Sequence, residues 1–140
     1  MANCDCDVAL VVGALDVAAA ENISGAGAII HFLGDVRPLE NGRRIDGIEY
    51  EAHQEMAEHQ LRKIAEEAAD RFRLLAIRLH HRIGFVAVGE TSLFLRVAAA
   101  HRGPAFEASR WMVDELKKRV PIWKSITVGA EEAREKALLA

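Results

Sequence analysis

Apolar residues along this chain recur at two spacings, every second position in some stretches and every third or fourth in others, and the two kinds alternate. Residues 7–12 (DVALVV) form a short apolar run that predicts a strand, and 16–22 predict a short helix closed by the Ser24-Gly25-Ala26-Gly27 turn. Residues 27–36 (GAIIHFLGDV) predict a buried strand, and 38–47 a polar loop turning at Asn41-Gly42. Residues 47–51 (GIEYE) alternate as a strand does. Helical spacing then takes over at 55–73, where Met56, Leu61, Ile64, Ala65, Ala68 and Phe72 recur at three- and four-residue steps between charged positions. Residues 74–81 and 91–99 predict two more strands joined by 83–90. A second long helix is expected over about 104–119, presenting Phe106, Trp111, Met112 and Leu116 to a sheet, with Pro104 in its first turn and Pro121 as its stop. Residues 122–128 predict a last strand, and 131–140 a short helix or a mobile end. The class is α+β with a mixed or antiparallel sheet and two longer helices; without regular βαβ alternation, a doubly wound nucleotide fold is not expected.

Size and composition narrow the picture without adding chemistry. At 140 residues the chain is long enough for one apolar core without disulfides or a structural metal, and no linker or repeat divides it, so residues 1–140 read as a single domain. A net charge of -3 argues against a general nucleic-acid binder, which needs a basic face to neutralise phosphates. The apolar run over 8–20 is flanked and broken by Asp5, Asp7, Asp16 and Gly13 and has no Lys or Arg before it. A secretory signal is therefore not expected, and a cytoplasmic location is. Cys4 and Cys6 are the only cysteines; a mutual disulfide would be strained, and a metal reading lacks its other ligands.

Three constellations offer chemistry. The apolar strand containing Phe32 ends at Arg37, whose planar fork suits a phosphate or carboxylate and equally suits solvent. His101-Arg102 precede a helix start, where free N–H groups and the helix dipole favour an anion; a local cap and a solvated arginine is the competing reading. Lys117-Lys118-Arg119 end that helix, Pro121 turns the chain, and Lys124 follows on the far side, so Lys117 and Lys124 can converge on one pocket or remain a solvated face. His80 and His81 are adjacent on a strand and point to opposite faces, so they do not share an ion. No zinc-like ligand spacing, Walker loop or nucleophile elbow occurs. No metal and no resident cofactor is expected.

Six stretches in order, GAIIHFLGDVR at 27–37, YEAHQEMAEHQL at 50–61, HRIG at 81–84, VGE at 88–90, AAHRGPAFEA at 99–108 and LKKRVPIWK at 116–124, resemble the large, catalytic subunit of molybdopterin synthase. The resemblance implies a hammerhead-like α+β domain forming the homodimeric core of a heterotetramer, with a small ubiquitin-like subunit at each end. That partner's Gly-Gly tail carries sulfur as a thiocarboxylate, so neither Cys4 nor Cys6 is the implied donor. The implied substrate is cyclic pyranopterin monophosphate, converted in two sulfur transfers to the dithiolene of molybdopterin. Carried over by motif, Lys117 and Lys124 are the implied catalytic residues, and Arg37, His101, Arg102 and Phe32 the implied substrate-binding ones. His101 and Arg102 are expected from the neighbouring protomer.

The chain departs from the family pattern at Ser125 and Ile126, where a basic and an acidic residue usually follow the Trp-Lys pair. It also departs at Asp35 and in the tail from Gly129 to Arg134. The alternative to an active sulfurtransferase is a scaffold that retains the fold and binds pterin or partner without turnover.

Overall fold

The computed structural model describes residues 4–17 and 22–128, together with the backbone course of 133–138. Its architecture hangs on strand β6 (Ala76–Ala87). The first half of β6 lies between β1 (Asp5–Val12), which pairs with it in parallel, and β7 (Thr91–Ala99), which pairs antiparallel. Its last residues, from Gly84 to Ala87, bond instead to β5 (Gly47–Ala52). The changeover falls at Gly84, whose φ of 93° is a left-handed conformation that a side chain would resist. Outward from β6 the sheet runs through β7 to β2 (Ala28–Asp35) on one side, and through β5 to β8 (Ile122–Val128) and β9 (Ala133–Leu138) on the other. A separate hairpin, β3 (Leu39–Glu40) with β4 (Arg43–Arg44), stands apart from this sheet.

Alternation along β6 sorts its residues. Ile77, Leu79, His81 and Ile83 are buried, whereas Arg78, His80 and Arg82 face the other way. On that second face Asp7 accepts from His80 at 3.0 Å and pairs with Arg78 at 3.3 Å, tying β1 to β6 by side chains as well as backbone. The two histidines thus separate to opposite faces, as their adjacency requires.

Helices α1 (Gln54–Phe72) and α2 (Arg102–Arg119) pack against the sheet and each other. The expected apolar stripe holds at Leu61, Ile64, Ala65 and Ala68 in α1, and at Met112 and Leu116 in α2. Met56 and Phe106, however, are 53% and 59% exposed. Ala57, Ala105 and Ala108 lie in the interface in their place. Alanines let the helices approach closely, and the long neighbouring side chains are left on the flanks. Trp111 packs on Phe72, with the Arg71 guanidinium over both rings.

Three sequence expectations are corrected. The segment 83–90 is mostly not a connector, because β6 runs on to Ala87 by exchanging its partner. Helix α2 begins at Arg102, two residues before Pro104, since a proline inside the first turn removes only an N–H that has no intrahelical acceptor. Residues 133–138 are neither helix nor frayed end; β8 offers them an open sheet edge, and they pair with it antiparallel. The predicted helix over 16–22 falls largely on residues outside the described ones.

Gly47 sits where β5 lies between β6 and β8, and a Cβ there would come within 2.5 Å of the Val86 carbonyl oxygen and of the Phe85 ring. The ring can swing away but the carbonyl cannot. Gly47→Ala is expected to destabilise the protein by about 1–3 kcal/mol. A lower urea midpoint at unchanged slope is the expected readout, and an unchanged midpoint would show that the sheet yields there.

Candidate active site

Six strands and the end of a helix close around a cavity of about 250 Å³. Its floor is a consequence of strand alternation. Ile48 and Tyr50 of β5, His81 of β6 and Ser92 of β7 all point inward, and all four are buried. The Ser92 hydroxyl donates to the Gly34 carbonyl at 3.1 Å and also hydrogen-bonds the Tyr50 side chain. A register shift between Gly34 and Asp35 precedes the last pair of β2 with β7, Asp35 with Thr91, whose hydroxyl donates to the Asp35 carboxylate at 2.7 Å. Phe32 before that irregularity, and Asp35 and Arg37 after it, stand along the cavity wall.

Cations come to the rim from three directions. Arg37 follows β2, Lys117 lies in the last turn of α2, and Lys124 lies on β8 directly opposite Tyr50 in register. Of the three consecutive cations ending α2, only Lys117 faces the cavity. Lys118 pairs with Glu115 at 3.5 Å, and Arg119 with Glu67 at 2.7 Å and Glu115 at 3.5 Å. Lys117 has no ion pair among the described residues, whereas Lys124 donates to Glu40 at 3.2 Å. The other Glu40 oxygen lies 3.6 Å from the Arg37 guanidinium.

His81 is the most deeply set titratable group here. Its Nδ1 donates to the Arg82 carbonyl at 2.8 Å, which fixes the proton on that nitrogen and leaves Nε2 with its lone pair. Burial pushes its pKa down to about 4, so the ring is neutral at ordinary pH. Tyr50 packs edge-on to it at 5.1 Å, and burial raises the Tyr50 hydroxyl above its ordinary range.

Phe32, Arg37, Lys117 and Lys124 therefore share one cavity in a single chain. His101 and Arg102 do not. They are exposed at the N-terminal end of α2, and the fifteen-residue step from Arg102 to Lys117 spans about 22 Å of helix. Tyr50, His81, Ser92 and Glu40 line the cavity without having been singled out for it by spacing. A histidine in phase with Ile77, Leu79 and Ile83 was the available signal for His81. None existed for Glu40, whose place depends on a hairpin outside the sheet.

Cys4 and Cys6 stand at the start of β1, 3.4 Å apart at sulfur and outside the cavity lining. Burial, with Cys6 adding to it, pushes the Cys4 thiol up to about 12, which keeps it protonated and a poor nucleophile. Among the described residues no group of three or more His, Cys, Asp or Glu is arranged to hold a metal ion.

The family model described as MoaE protein matches residues 10–119. The chain belongs to the MoaE protein family. It is 48% identical over 101 residues to a Pyrococcus abyssi protein named molybdopterin synthase catalytic subunit, covering 72% of this chain and 68% of that one. Its fold matches the crystal structure of molybdopterin synthase from Staphylococcus aureus with a TM-score of 0.83 at 24% identity, covering 93% of this chain and 96% of that chain. It also matches a chain in a complex of subunits 1 and 2 of molybdopterin-converting factor from Helicobacter pylori, with a TM-score of 0.67 at 24% identity and coverage of 81% and 73%. The two structural likenesses bear on the fold. In this MoaE-family chain the expected hammerhead-like α+β arrangement is thus present, with the cavity at the changeover between the two wings of its sheet.

The buried neutral His81 has a measurable signature. Unfolding frees an imidazole of pKa near 6.5, whereas the folded site resists protonation until about 4. The unfolded chain therefore binds more protons between those values, so this contribution to stability is complete above about pH 6.5 and is lost as pH falls toward 4. Between pH 7.5 and 4.5 it is expected to remove about 2–3 kcal/mol. His81→Asn, which keeps a donor for the Arg82 carbonyl, is expected to flatten that part of the urea-derived stability profile. Parallel profiles for the two proteins would refute the assignment.

Proposed function

We propose that this chain is the catalytic subunit of a molybdopterin synthase, a sulfurtransferase of molybdenum cofactor biosynthesis. It takes sulfur from the C-terminal thiocarboxylate of a small ubiquitin-like subunit and delivers it to cyclic pyranopterin monophosphate, forming the molybdopterin dithiolene in two transfers. The observation that carries this reading is the convergence of Arg37, Lys117 and Lys124 on one cavity beside Phe32. Family membership gives that convergence its chemistry. Among the described residues no helix is long and apolar enough to cross a membrane. The proposal carries with it the cytoplasmic location expected from sequence.

Each role follows from position. Arg37 offers a planar fork at the open rim for the phosphate, with charge-assisted hydrogen bonds worth about 1.5–3 kcal/mol net. Phe32 gives the pterin an apolar surface. Lys117, not tied to a carboxylate among the described residues, is the group to protonate the departing oxygen or to stabilise charge on the tetrahedral adduct. Lys124 assists and positions the incoming tail. The partner supplies the sulfur, in keeping with a Cys4 thiol that burial holds protonated away from the cavity.

His101 and Arg102 complete the phosphate site from a second copy of the chain. The length of α2 supports this assignment, because its N-terminal end lies too far from Lys117 to serve the same cavity. In a two-fold dimer one copy's helix start can reach the other's pocket, and the converse then holds by symmetry.

Lys117→Ala is expected to lower turnover by roughly a hundredfold or more while leaving the complex with the small subunit intact. Full activity in that variant would remove Lys117 from its role. A mixing experiment separates shared from unshared sites. Lys117→Ala and Arg102→Ala homodimers are each expected to be inactive, but their re-equilibrated 1:1 mixture contains heterodimers with one intact site, returning about a quarter of the wild-type rate. Recovery of no activity would place Arg102 in its own chain's site, and an active Arg102→Ala homodimer would place it outside the chemistry.

A further inference from the structure

The β3–β4 hairpin inverts the usual pattern of burial. Leu39 is 51% exposed, while the side chain of its neighbour Glu40 is only 13% exposed. Strand alternation explains how the two residues face opposite ways but not why the carboxylate takes the inner side. The hairpin is held firmly in that orientation. Asn41 and Gly42 have φ of 51° and 77°, the left-handed pair of a tight two-residue turn. Buried Val36 and Ile45 anchor its two ends, and Ile45 N–H donates to the Pro38 carbonyl at 3.0 Å.

Removing a carboxylate from water is unfavourable unless cations replace the hydration. Here they do: one oxygen lies 3.2 Å from Lys124 and the other 3.6 Å from Arg37. Both cations line the cavity in which the proposed function needs an oxyanion to bind.

We propose that Glu40 is a charge-selecting and positioning residue of the pocket, its carboxylate holding the place between Lys124 and Arg37 that an oxyanion of the ligand takes over. The inference rests on the reading of the cavity as a sulfur-transfer site, and it adds a competitor built into the chain. A ligand must displace Glu40 to reach both cations, so a weakly charged or monodentate anion is rejected, and an oxyanion able to engage both is admitted. While the cavity is empty, the same contact orients Lys124 and offsets the repulsion among Arg37, Lys117 and Lys124.

Glu40→Gln keeps the size of the side chain and removes the charge. Binding of two probes to the chain alone can be followed by calorimetry at low salt: inorganic phosphate, standing for the substrate's phosphate, and a peptide ending in Gly-Gly, standing for the partner's tail. The variant is expected to bind at least one of them roughly fivefold more tightly than wild type, in proportion to a part-exposed ion pair. The probe that gains identifies the group that Glu40 mimics. Adding Lys124→Met should abolish the gain, as coupling through that contact requires. Glu40→Asp, which retains the charge on a shorter arm, should fall between the two. In the assembled enzyme Glu40→Gln should lower KM, without raising kcat, for whichever of the pterin phosphate and the small subunit corresponds to the probe that gains. Equal or weaker binding of both probes by Glu40→Gln, or a gain that survives Lys124→Met, overturns the proposal. The binding arm needs no turnover, so an inactive wild-type enzyme would count against sulfur transfer alone, and an active one with unchanged probe binding against Glu40 alone.

Discussion

The exchange of partners along β6 is the constraint on which the molecule depends. One strand cannot bond β1, β7 and β5 with only two edges, so it surrenders β1 and β7 and takes β5 over its last residues, bending through Gly84 where φ is 93°. The sheet consequently has two wings. Helix α1 packs over β1 and β6 and helix α2 over β7 and β2, and β7 is buried along nearly its whole length. A cavity remains where the wings diverge, floored by residues whose neighbours in the same alternating series form the core.

That origin explains the polarity of the site. Tyr50, His81 and Ser92 occupy positions in phase with apolar residues, and each meets a partner instead of water: Ser92 meets Tyr50 and the Gly34 carbonyl, and His81 meets the Arg82 carbonyl. Buried polar groups are tolerated where they are bonded, and His81 meets the condition by remaining neutral. Above this floor the cations arrive on the ends of elements, where a side chain can be charged at one tip and anchored at its root. Lys117 and Lys124 approach from either side of Pro121, and Arg37 from beyond the register shift in β2. Glu40 supplies the counter-charge from a hairpin that belongs to neither wing.

The division of labour along α2 is the second organising fact. Its last turn contributes Lys117 to the cavity of its own chain, while its start presents His101 and Arg102 to solvent at the opposite end. A helix is stiff at this length, so the two ends cannot serve one pocket within one chain. The motif residues separate accordingly into a group that folding brings to one cavity and a pair, His101 and Arg102, that it leaves outside that cavity.

The sequence alone determined the elements whose signal is local. Helical spacing from Leu61 to Ala68, strict alternation in β5, the Asn41-Gly42 turn and the proline stop after α2 are all set by residues within a few positions of each other. The motif order also singled out Arg37, Lys117 and Lys124 as candidates, through likeness to a family and not through spacing, and the three line one cavity. Tertiary structure decided what local pattern cannot encode. It extended β6 past Ile83, turned residues 133–138 into a strand against β8, and substituted alanines for Met56 and Phe106 at the helix faces. It also brought Glu40 between Lys124 and Arg37 across 84 positions of chain. The physical reason is common to all of these. A free strand edge, a close helix approach and a buried carboxylate are settled by whatever the fold sets opposite them, and the identity of that neighbour is written elsewhere in the chain.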